Sequence, residues 1–451
     1  MERINPAIFK AYDIRGVVPD EITEEVAERV GRAVVVHTSA RTVVVGRDMR
    51  ISSPAFVAAV LRGVTIQGAD AIDIGLATTP MFNYAVAEHA GHDAGIMVSA
   101  SHNPARYNGF KLDHADGLPI GAGSGMEEIA ALTIRGEFPV ATSVGAVRTE
   151  SFLEPYLAKV TFLANPATLS PMRLVVCCGN GMGGYTMPHL APLIPGEVIP
   201  LHWELDGSFP NHEANPIKPE NVRDVGEAVR DAHAAIGFAF DGDADRLGVI
   251  DERGDLVRGD LVTVLLARET LRSRPGATIL YDVRASRVVP EAIRAAGGVP
   301  VPTRVGHALI KRHLREVGAA FAGELSGHFY FVDFYGVECT ELAMLRILAI
   351  LGQSGRTLSE LIAPLQTTAY SGEINFESRD KEGALRELEA RYAPKAHAVS
   401  KLDGLRVDFG DWWFLVRPSN TESLLRLIVE TPSVQETERR VAEIGKLIQG
   451  K

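Results

Sequence analysis

The stretch that decides the fold is Ala235–Arg246, which reads AIGFAFDGDADR: an apolar strand that runs directly into three alternating carboxylates. The same arrangement occurs twice more, where Gly95–Val98 enters SASHNP at 99–104 and Ala319–Ala322 enters GELSGH at 323–328. In each copy an opening strand and a second strand precede the segment that ends in the polar loop. This pattern predicts three repeated α/β units with mainly parallel strands.

The opening strands of the three units are predicted at Thr42–Asp48, Arg173–Cys178 and Thr278–Val283. In the first unit a helix is expected over Pro54–Gln67, with Ser52 or Ser53 as its cap. In the second unit the next strand is predicted over Val198–Leu205. If the units share one fold, their polar loops occupy equivalent strand ends, where open α/β sheets bind ligands. The three loops could therefore converge on one cleft.

The pattern changes from about residue 367. Two short strands, Leu405–Phe409 and Trp412–Val416, are joined at Gly410-Asp411, and the loop RPSNTES at 417–423 follows them. A strand at Leu424–Glu430 and an amphipathic helix at about Ser433–Ile448 complete this part. We therefore predict a small C-terminal α+β domain.

Composition and charge exclude several classes of protein. The 451 residues carry 46 Lys and Arg against 57 Asp and Glu, a net charge of −11, which argues against a nucleic-acid or anionic-membrane partner. Only Cys177, Cys178 and Cys339 occur, so no disulfide framework is expected. The N-terminal segment lacks the apolar core of a signal peptide, and no run of 18 apolar residues is present. A reducing, cytoplasmic location is the expectation.

The DGDADR loop carries the strongest chemical signal. Asp241, Asp243 and Asp245 alternate on an extended turn, which points their oxygens to one side and suits a hard cation such as Mg²⁺. An EF-hand is disfavoured because Arg246 stands where that loop needs Gly. A phosphatase with Asp241 as nucleophile and a solvated acidic turn remain as alternatives.

Two other loops offer weaker signals. A serine hydroxyl at Ser101 would be exposed by the turn at Asn103-Pro104, with His102 or Lys111 near enough in sequence to assist proton transfer. Serines in such turns more often cap helices or bond local backbone. In GELSGH, a carboxylate, a hydroxyl and an imidazole alternate and could bind sugar hydroxyls, although a solvated polar turn is equally compatible: Glu324, Ser326 and His328.

The RPSNTES loop is a candidate anion site. Arg417 stands beside hydroxyl and amide side chains in a tight turn, and a guanidinium grips phosphate in a bidentate manner. The alternative is an ordinary Asx or Ser turn. Gly179–Gly184 (GNGMGG) mimics a dinucleotide-binding fingerprint, but Pro188 and Pro192 interrupt the helix that would hold a pyrophosphate, so NAD binding is disfavoured. Among thirteen histidines, His307 follows the second strand of the third unit and is singled out for that position.

Together these segments resemble the α-D-phosphohexomutase superfamily, and specifically bacterial phosphomannomutase/phosphoglucomutase. The resemblance rests on FKAYDIRG at 9–16, SASHNPARYNGFK at 99–111, DGDADR, GELSGH and RPSNTE, in the family's order and over nearly the whole chain. It implies three similar mixed α/β domains plus a C-terminal α+β domain around a central cleft. The expected boundaries are 1–148, 149–252, 253–366 and 367–451. It also implies an enzyme of the isomerase class, an intramolecular phosphotransferase.

The resemblance implies a role for each matched position. Ser101 would carry a phosphoryl group and, with the carboxylates of DGDADR, contact Mg²⁺. Hexose 1,6-bisphosphate would serve as intermediate and activator. Catalytic roles are implied for Ser101, Lys111, His307, Arg15 and His102; substrate contacts for Tyr12, Arg246, Glu324, Ser326, His328, Arg417, Ser419, Asn420 and Thr421; and metal ligation for Ser101, Asp241, Asp243 and Asp245.

Two positions depart from the family's pattern. Ala244 stands where Gly is common, and Arg284 stands where many relatives have Lys, which argues against proton transfer there because Arg does not deprotonate. Leu325 and Asn420 favour a phosphomannomutase, with glucose phosphates as further candidate substrates, over a phosphoglucosamine mutase, whose relatives tend to have Gln and Gly. An Mg²⁺-dependent phosphatase and a non-catalytic phosphosugar-binding protein are less favoured. The partner expected is a phosphosugar, and the chain is expected as a monomer or small homo-oligomer.

Overall fold

A computed structural model describes residues 4–418 and 424–450 and contains four sheets, one after another along the chain. The strands of the first sheet are β1 (Ile14–Val17), β2 (Thr42–Arg47), β3 (Asp70–Leu76), β4 (Ala94–Val98), β5 (Tyr107–His114) and β6 (Val147–Thr149). Its helices are α1 (Glu24–Thr38), α2 (Ser53–Ile66), α3 (Thr79–Glu88) and α4 (Met126–Arg135). The strands lie in the order β1-β5-β4-β2-β3-β6.

The second unit repeats this plan. Its elements are α5 (Leu153–Ala164), β7 (Met172–Cys177), α6 (Gly183–Leu190), β8 (Gly196–Leu201), α7 (Arg223–Asp231), β9 (Ile236–Phe240), β10 (Leu247–Ile250) and β11 (Leu256–Val257). The strands lie in the order β11-β10-β9-β7-β8.

The third unit has the same arrangement again. Its elements are α8 (Gly259–Ser273), β12 (Thr278–Asp282), α9 (Val288–Ala295), β13 (Val299–Thr303), α10 (His307–Val317), β14 (Phe321–Gly323), β15 (Phe329–Phe331), β16 (Val337–Glu338), α11 (Thr340–Ser354) and α12 (Leu358–Ile362). The strands lie in the order β13-β12-β14-β15-β16.

The common plan places the three polar loops at equivalent positions. In each unit the opening strand pairs in parallel with the second strand on one side and with the third strand on the other. The third strand then turns back into an antiparallel hairpin. The hairpin turns of β4–β5, β9–β10 and β14–β15 are the loops SASHNP, DGDADR and GELSGH. The predicted α/β repeats are confirmed, with mixed sheets.

The apolar sequence of β9 explains why this strand is central. All five of its residues are buried, and its two faces enter different hydrophobic clusters. Ile236, Phe238 and Phe240 pack into the large cluster that the first three units share, whereas Ala239 packs with Val175 on the opposite face. A strand that is covered on both faces carries a nearly continuous apolar run.

The last unit is antiparallel throughout. Its elements are β17 (Ala369–Tyr370), β18 (Ile374–Glu377), α13 (Lys381–Tyr392), β19 (Ala398–Ser400), β20 (Leu405–Asp408), β21 (Trp413–Pro418), β22 (Leu424–Thr431) and α14 (Val434–Ile448). The strands lie in the order β17-β22-β21-β20-β19, and β18 also pairs with β22. Both helices contribute to one cluster with the sheet. The predicted α+β domain is confirmed.

The structure differs from the sequence-based expectations in several details. The strand predicted to reach Leu205 ends at Leu201, because His202 adopts left-handed backbone with φ 51°. Ser52 occupies the N-cap of α2 but makes no side-chain capping bond. Two strands cross the expected boundaries: β6 ends at Thr149 in the first sheet, and β11 belongs to the second sheet although it lies after residue 252. Within the described residues, no helix is long and apolar enough to cross a membrane.

Candidate active site

The serine loop of the first unit meets the carboxylate loop of the second. Ser101 is 2% exposed and has φ 49°, a left-handed conformation that is uncommon outside glycine. Its Oγ donates a hydrogen bond to Asp241 Oδ2 at 2.8 Å and lies 3.2 Å from His102 Nδ1. Burial, together with nearby Arg246 and Arg15, lowers the pKa of His102 well below its ordinary value, so this imidazole is neutral at pH 7.

A buried guanidinium holds the serine loop in shape. Arg50 donates to the carbonyl oxygens of Ser101 (2.8 Å), Asn103 (2.6 Å), Pro104 (2.9 Å) and Tyr107 (3.0 Å). Its Nε donates to Asp48 Oδ2 at 3.1 Å, and this ion pair is fully buried. Sequence reasoning missed Arg50 because nothing in a single chain marks an arginine 51 residues away as the support of this loop.

The three carboxylates of DGDADR are buried, and their oxygens lie within 4.8 Å of one another. Asp241 Oδ1 accepts the backbone N–H groups of Asp245 and Arg246 at 2.9 and 3.1 Å. Among residues 4–418 and 424–450, Asp243 Oδ1 and Asp245 Oδ1 have no hydrogen-bond partner. Unpaired buried carboxylate oxygens beside a serine hydroxyl form an all-oxygen donor set that fits Mg²⁺. Ala244, where Gly is common in the family, has φ 59°.

A lysine ammonium compensates part of this negative charge. Lys111 Nζ lies 2.6 Å from Asp243 Oδ2 and 2.6 Å from Asp245 Oδ2. Burial lowers the pKa of Lys111, but the two carboxylates outweigh burial and raise it above its ordinary value. Asp241 has no such partner, and burial together with Asp245 and Asp243 raises its pKa well above the usual range. Thr79, at the start of α3, donates to Asp243 Oδ2 at 2.6 Å.

The imidazole of His328 connects the GELSGH loop to the DGDADR loop. His328 Nε2 lies 3.2 Å from Asp245 Oδ1, too poorly aligned for a hydrogen bond, and its Nδ1 lies 3.1 Å from Glu324 Oε2. Burial opposes the charge on His328, but these carboxylates raise its pKa to about 9. Ser326 Oγ also lies 3.2 Å from His328 Nδ1.

Arg284 occupies a place between two acidic groups of the third unit. Its Nη2 donates to Asp282 Oδ2 at 2.9 Å and to Glu324 Oε1 at 3.0 Å. Burial would raise the pKa of Glu324, yet His328 and Arg284 lower it far below its usual value. A cavity of about 490 Å³ adjoins Arg284, Leu325, Ser326 and Glu373, where the second, third and fourth units meet.

Two other predicted residues, His307 and Tyr12, lie close to each other. His307 begins α10, its Nδ1 is buried without a partner, and burial with Lys311 lowers its pKa well below its ordinary value. Its ring stands 6.5 Å from that of His328 and 6.0 Å from that of Tyr12. Tyr12 donates to the carbonyl oxygen of Val305 at 2.9 Å, which joins the first unit to the third.

The predicted arginines occupy different surroundings. Arg15 donates to Asn103 Oδ1 at 2.8 Å and pairs with Asp13. Arg246, in the carboxylate loop, is half-buried, and its Nε has no hydrogen-bond partner. Arg417, on β21, donates to Asp403 Oδ2 at 3.0 Å. The residues predicted to bind phosphate in the RPSNTES loop, Ser419, Asn420 and Thr421, lie outside the described residues.

The glycine-rich turn supports the carboxylate loop. Met182 N donates to Gly242 O at 2.9 Å, and a Cβ at Gly181 would meet Gly242 O at 2.8 Å. Glycine is required at 181 because two backbones touch there. This backbone contact explains the glycine at 181, which is part of the Gly179–Gly184 sequence that resembles a dinucleotide-binding fingerprint.

Comparison with known proteins decides the family. Four family models match in order: phosphoglucomutase/phosphomannomutase alpha/beta/alpha domains I, II and III at residues 6–139, 151–254 and 258–368, and the C-terminal domain at 373–447. The chain belongs to the phosphoglucomutase/phosphomannomutase family. The expected resemblance and the expected enzyme class, a phosphohexomutase of the isomerase class, are thereby confirmed.

Individual members of this family match over nearly their whole length. A protein of Xanthomonas campestris named "Phosphohexose mutases" is 39% identical over 448 residues, 98% of this chain and 99% of that protein. A phosphomannomutase/phosphoglucomutase of Pseudomonas aeruginosa is 38% identical over 96% of this chain and 93% of that protein. A crystal structure of a family protein from Burkholderia thailandensis has a TM-score of 0.89 at 34% identity and covers 98% of both chains.

Proposed function

We propose that this chain is a phosphomannomutase that also converts glucose phosphates. It would interconvert hexose 6-phosphate and hexose 1-phosphate through a phosphoserine at Ser101 and a hexose 1,6-bisphosphate intermediate. The observation that carries the proposal is the hydrogen bond of 2.8 Å from Ser101 Oγ to Asp241 Oδ2, at a cluster of three buried carboxylates. Phosphoryl transfer depends mainly on placement and on neutralised charge, and this junction supplies both.

The metal of the proposal is Mg²⁺. Asp241, Asp243, Asp245 and the phosphorylated Ser101 side chain would hold it, since Asp243 Oδ1 and Asp245 Oδ1 accept no hydrogen bond from the described residues. When bound, Mg²⁺ neutralises charge on a transferring phosphoryl group. Lys111 stays protonated beside Asp243 and Asp245, and we assign it to charge compensation rather than to proton abstraction.

Residues of the chain would carry out proton transfer and bind the sugar hydroxyls. When the phosphoryl group leaves Ser101 Oγ for a sugar hydroxyl, the proton of that hydroxyl must go to a base, and Ser101 Oγ must take up a proton. We assign the role of base to His307, which is neutral and whose buried Nδ1 has no hydrogen-bond partner in the described part of the chain. Glu324 and Ser326 would accept and donate hydrogen bonds to the sugar hydroxyls, with His328 held in place by Glu324.

The distal phosphate of the substrate would bind to Arg417 and the loop that follows it. Arg417 now shares its charge with Asp403, so phosphate would compete with this carboxylate. A cavity of about 490 Å³ that is lined in part by Glu373 lies in the size range of small-molecule sites, and Glu373 Oε2 lies 3.7 Å from Arg417 Nη1. Arg15 and Arg246 supply further positive charge beside the serine loop, and Tyr12 closes the wall opposite.

We also propose four domains whose boundaries follow the sheets, near residues 149, 257 and 367. A reducing, cytoplasmic location is proposed because Cys177, Cys178 and Cys339 are all free thiols. The partner of the cleft is a phosphosugar, and the state of assembly is proposed as monomer or small homo-oligomer.

The test is substrate profiling with a trace of hexose 1,6-bisphosphate. Mannose, glucose and glucosamine 1-phosphates are compared for the wild type, for Ser101→Ala and for the control Ser143→Ala, an exposed serine of the first unit. We expect turnover of mannose and glucose phosphates, its loss in Ser101→Ala, and an added phosphate on Ser101 by intact mass. Preference for the glucosamine substrate would favour the alternative mutase. Net phosphate release, or full activity of Ser101→Ala, would overturn the proposal.

Metal dependence is tested separately. Chelation should abolish turnover, and Mg²⁺ should restore it, because the buried carboxylates otherwise repel the phosphoserine. Asp243→Asn should weaken the response to Mg²⁺, whereas Asp255→Asn, at an exposed turn of the same unit, should not. Unchanged activity after chelation would contradict the assignment.

A further inference from the structure

A second cluster of potential metal ligands lies in the second unit, outside the cleft. Cys177 ends β7, His202 follows β8, His212 lies in the next loop and Asp224 lies in the first turn of α7. One ligand atom from each of the four side chains lies within 4.8 Å of all the others. None of these residues has a role in the mutase reaction proposed above.

The distances in this cluster approach those of a tetrahedral metal site. Cys177 Sγ lies 3.8 Å from His212 Nε2, and His212 Nε2 lies 3.7 Å from Asp224 Oδ2. Ligand atoms around one tetrahedral Zn²⁺ with a single sulfur ligand are about 3.3–3.6 Å apart, given Zn–N and Zn–S bonds of about 2.0 and 2.3 Å. The shorter separation, 2.7 Å between His202 Nε2 and Asp224 Oδ2, is a hydrogen bond that a metal would replace.

The side-chain orientation of His212 also favours a metal site. His212 Nδ1 lies 2.9 Å from the carbonyl oxygen of Glu213, which can only accept a hydrogen bond. His212 therefore carries its proton on Nδ1 and presents the lone pair of Nε2 to the cluster, as metal-ligating histidines do. The rings of His202 and His212 are 5.5 Å apart at 75°. His202 has φ 51°.

The cluster combines a buried anchor with an accessible side. Cys177 is 1% exposed, whereas the side chains of His202, His212 and Asp224 are 24%, 17% and 38% exposed. A metal cation that enters from the open side would favour the thiolate form of Cys177.

We propose that Cys177, His202, His212 and Asp224 form a structural site for a tetrahedral transition metal, with Zn²⁺ as the ion that this donor set suits best. The sulfur and two nitrogens exclude Mg²⁺ as the preferred ion. The metal would tie the loop at 202–215 to β7 and α7. In that loop Phe209 packs 5.1 Å from the guanidinium of Arg50, which supports the serine loop. Metal binding would thus stabilise the junction of the first two units.

Cobalt spectroscopy on the full chain tests the site. The chelated protein is titrated with Co²⁺ in excess Mg²⁺, which occupies the oxygen-only carboxylate site. We expect one equivalent of Co²⁺ to produce a thiolate-to-cobalt charge-transfer band and the visible bands of four-coordinate cobalt, and Zn²⁺ to bleach both. Zn²⁺ should also raise the Tm. The charge-transfer band identifies this site because the carboxylate site contains no cysteine.

Variants separate ligation from folding. Cys177→Ser should abolish the charge-transfer band. His212→Asn should weaken Zn²⁺ binding by more than about 100-fold, since even outer partners of a zinc ligand contribute about 10–100-fold. His189→Asn, an exposed histidine on α6, should bind like the wild type. Absence of the band in saturated wild type, or a band that persists in Cys177→Ser, would overturn the site. Neither outcome bears on the mutase reaction, and the wild-type spectrum needs no variant to fold.

Discussion

At the scale of single residues, the chemistry of the cleft depends on charges that are buried in pairs. Arg50 pairs with Asp48, and Lys111 pairs with Asp243 and Asp245. Removing one member of a buried pair leaves an uncompensated charge, which costs more than the pair contributes. Residues that touch no substrate can therefore control activity.

Arg50→Met tests this dependence. We expect a loss of about 3–5 kcal/mol in the free energy of unfolding, because Asp48 is left buried and unpaired. Turnover should fall on the order of 10²-fold, since four carbonyl oxygens of the serine loop lose their donor and Ser101 moves. Urea unfolding and steady-state kinetics measure the two effects. The control is Arg106→Met, an exposed arginine, and equal effects of both variants would contradict the assignment.

Asp113 provides a pH-dependent test at the same scale. Burial raises its pKa to about 7, opposed by Lys311 and reinforced by Glu338. The folded state therefore retains a proton that the unfolded chain releases near pH 4, and the stability contributed by this group falls as pH rises from about 4 to about 7. Above about pH 7 the loss is complete.

Asp113→Asn should remove this dependence. Between pH 5 and pH 8 the wild type should lose about 2–3 kcal/mol of unfolding free energy relative to the variant. The difference between the two proteins cancels the other titrating groups. Urea unfolding at both pH values measures it, with Asp116→Asn as the exposed control. A difference that is independent of pH would show that Asp113 is ionised in the folded protein.

At the scale of elements, one glutamate on β22 joins the fourth unit to the third. Glu430 is fully buried and accepts hydrogen bonds from Ser286 Oγ (2.7 Å), Arg287 N (3.1 Å) and Trp413 Nε1 (2.6 Å), as well as from Thr368. Two of these donors precede α9. Strand β22 is therefore anchored on the third unit.

Glu430→Gln should weaken this anchor. The neutral amide replaces a charged acceptor and directs its own N–H groups at donors, so we expect a loss of about 1.5–3 kcal/mol in unfolding free energy. Trp412 and Trp413 lie in this unit, so their fluorescence should report the earlier transition. Glu438→Gln, exposed on α14, should unfold as the wild type does. A single unchanged transition in Glu430→Gln would contradict the anchoring role.

At the scale of the whole molecule, the cleft is closed by a chain of contacts from the first unit to the fourth. Tyr12 donates to Val305 O, Val305 N donates to Asp403 Oδ2 at 2.9 Å, and Arg417 donates to the same oxygen at 3.0 Å. Asp403 thus links the third unit and Arg417, the arginine proposed to bind phosphate. Phosphate that competes for Arg417 would alter the position of the fourth unit.

Asp403→Asn should open the ligand-free enzyme. The neutral side chain binds Arg417 and the Val305 N–H group less tightly, so the radius of gyration from small-angle scattering should increase. Binding of a phosphosugar should restore the compact form. Asp411→Asn, in the exposed β20–β21 turn, should scatter as the wild type does. Equal radii of gyration for all three ligand-free proteins would contradict this prediction.

Much of the fold could be predicted because it depends on near neighbours in the chain. The helix predicted over Ser433–Ile448 is α14, with Ser433 as its cap, and the strand predicted from Leu424 is β22. Helix α13 was missed because only Ala384, Leu388 and Tyr392 are buried, so its apolar pattern is thin. Strand β19 was missed because none of its residues is buried.

The order of the amino acids is enough to predict which loops carry reactive side chains. Apolar runs form strands, and the polar residues that follow them form the loops, independently of the rest of the chain. Which of these groups meet depends on how the units pack together. Ser101 and Asp241 are 140 residues apart, and Arg50 supports Ser101 from 51 residues away. Such contacts form when sheets dock through hydrophobic clusters that many distant residues build together. The charges that shift each pKa are therefore set by packing and not by any local pattern.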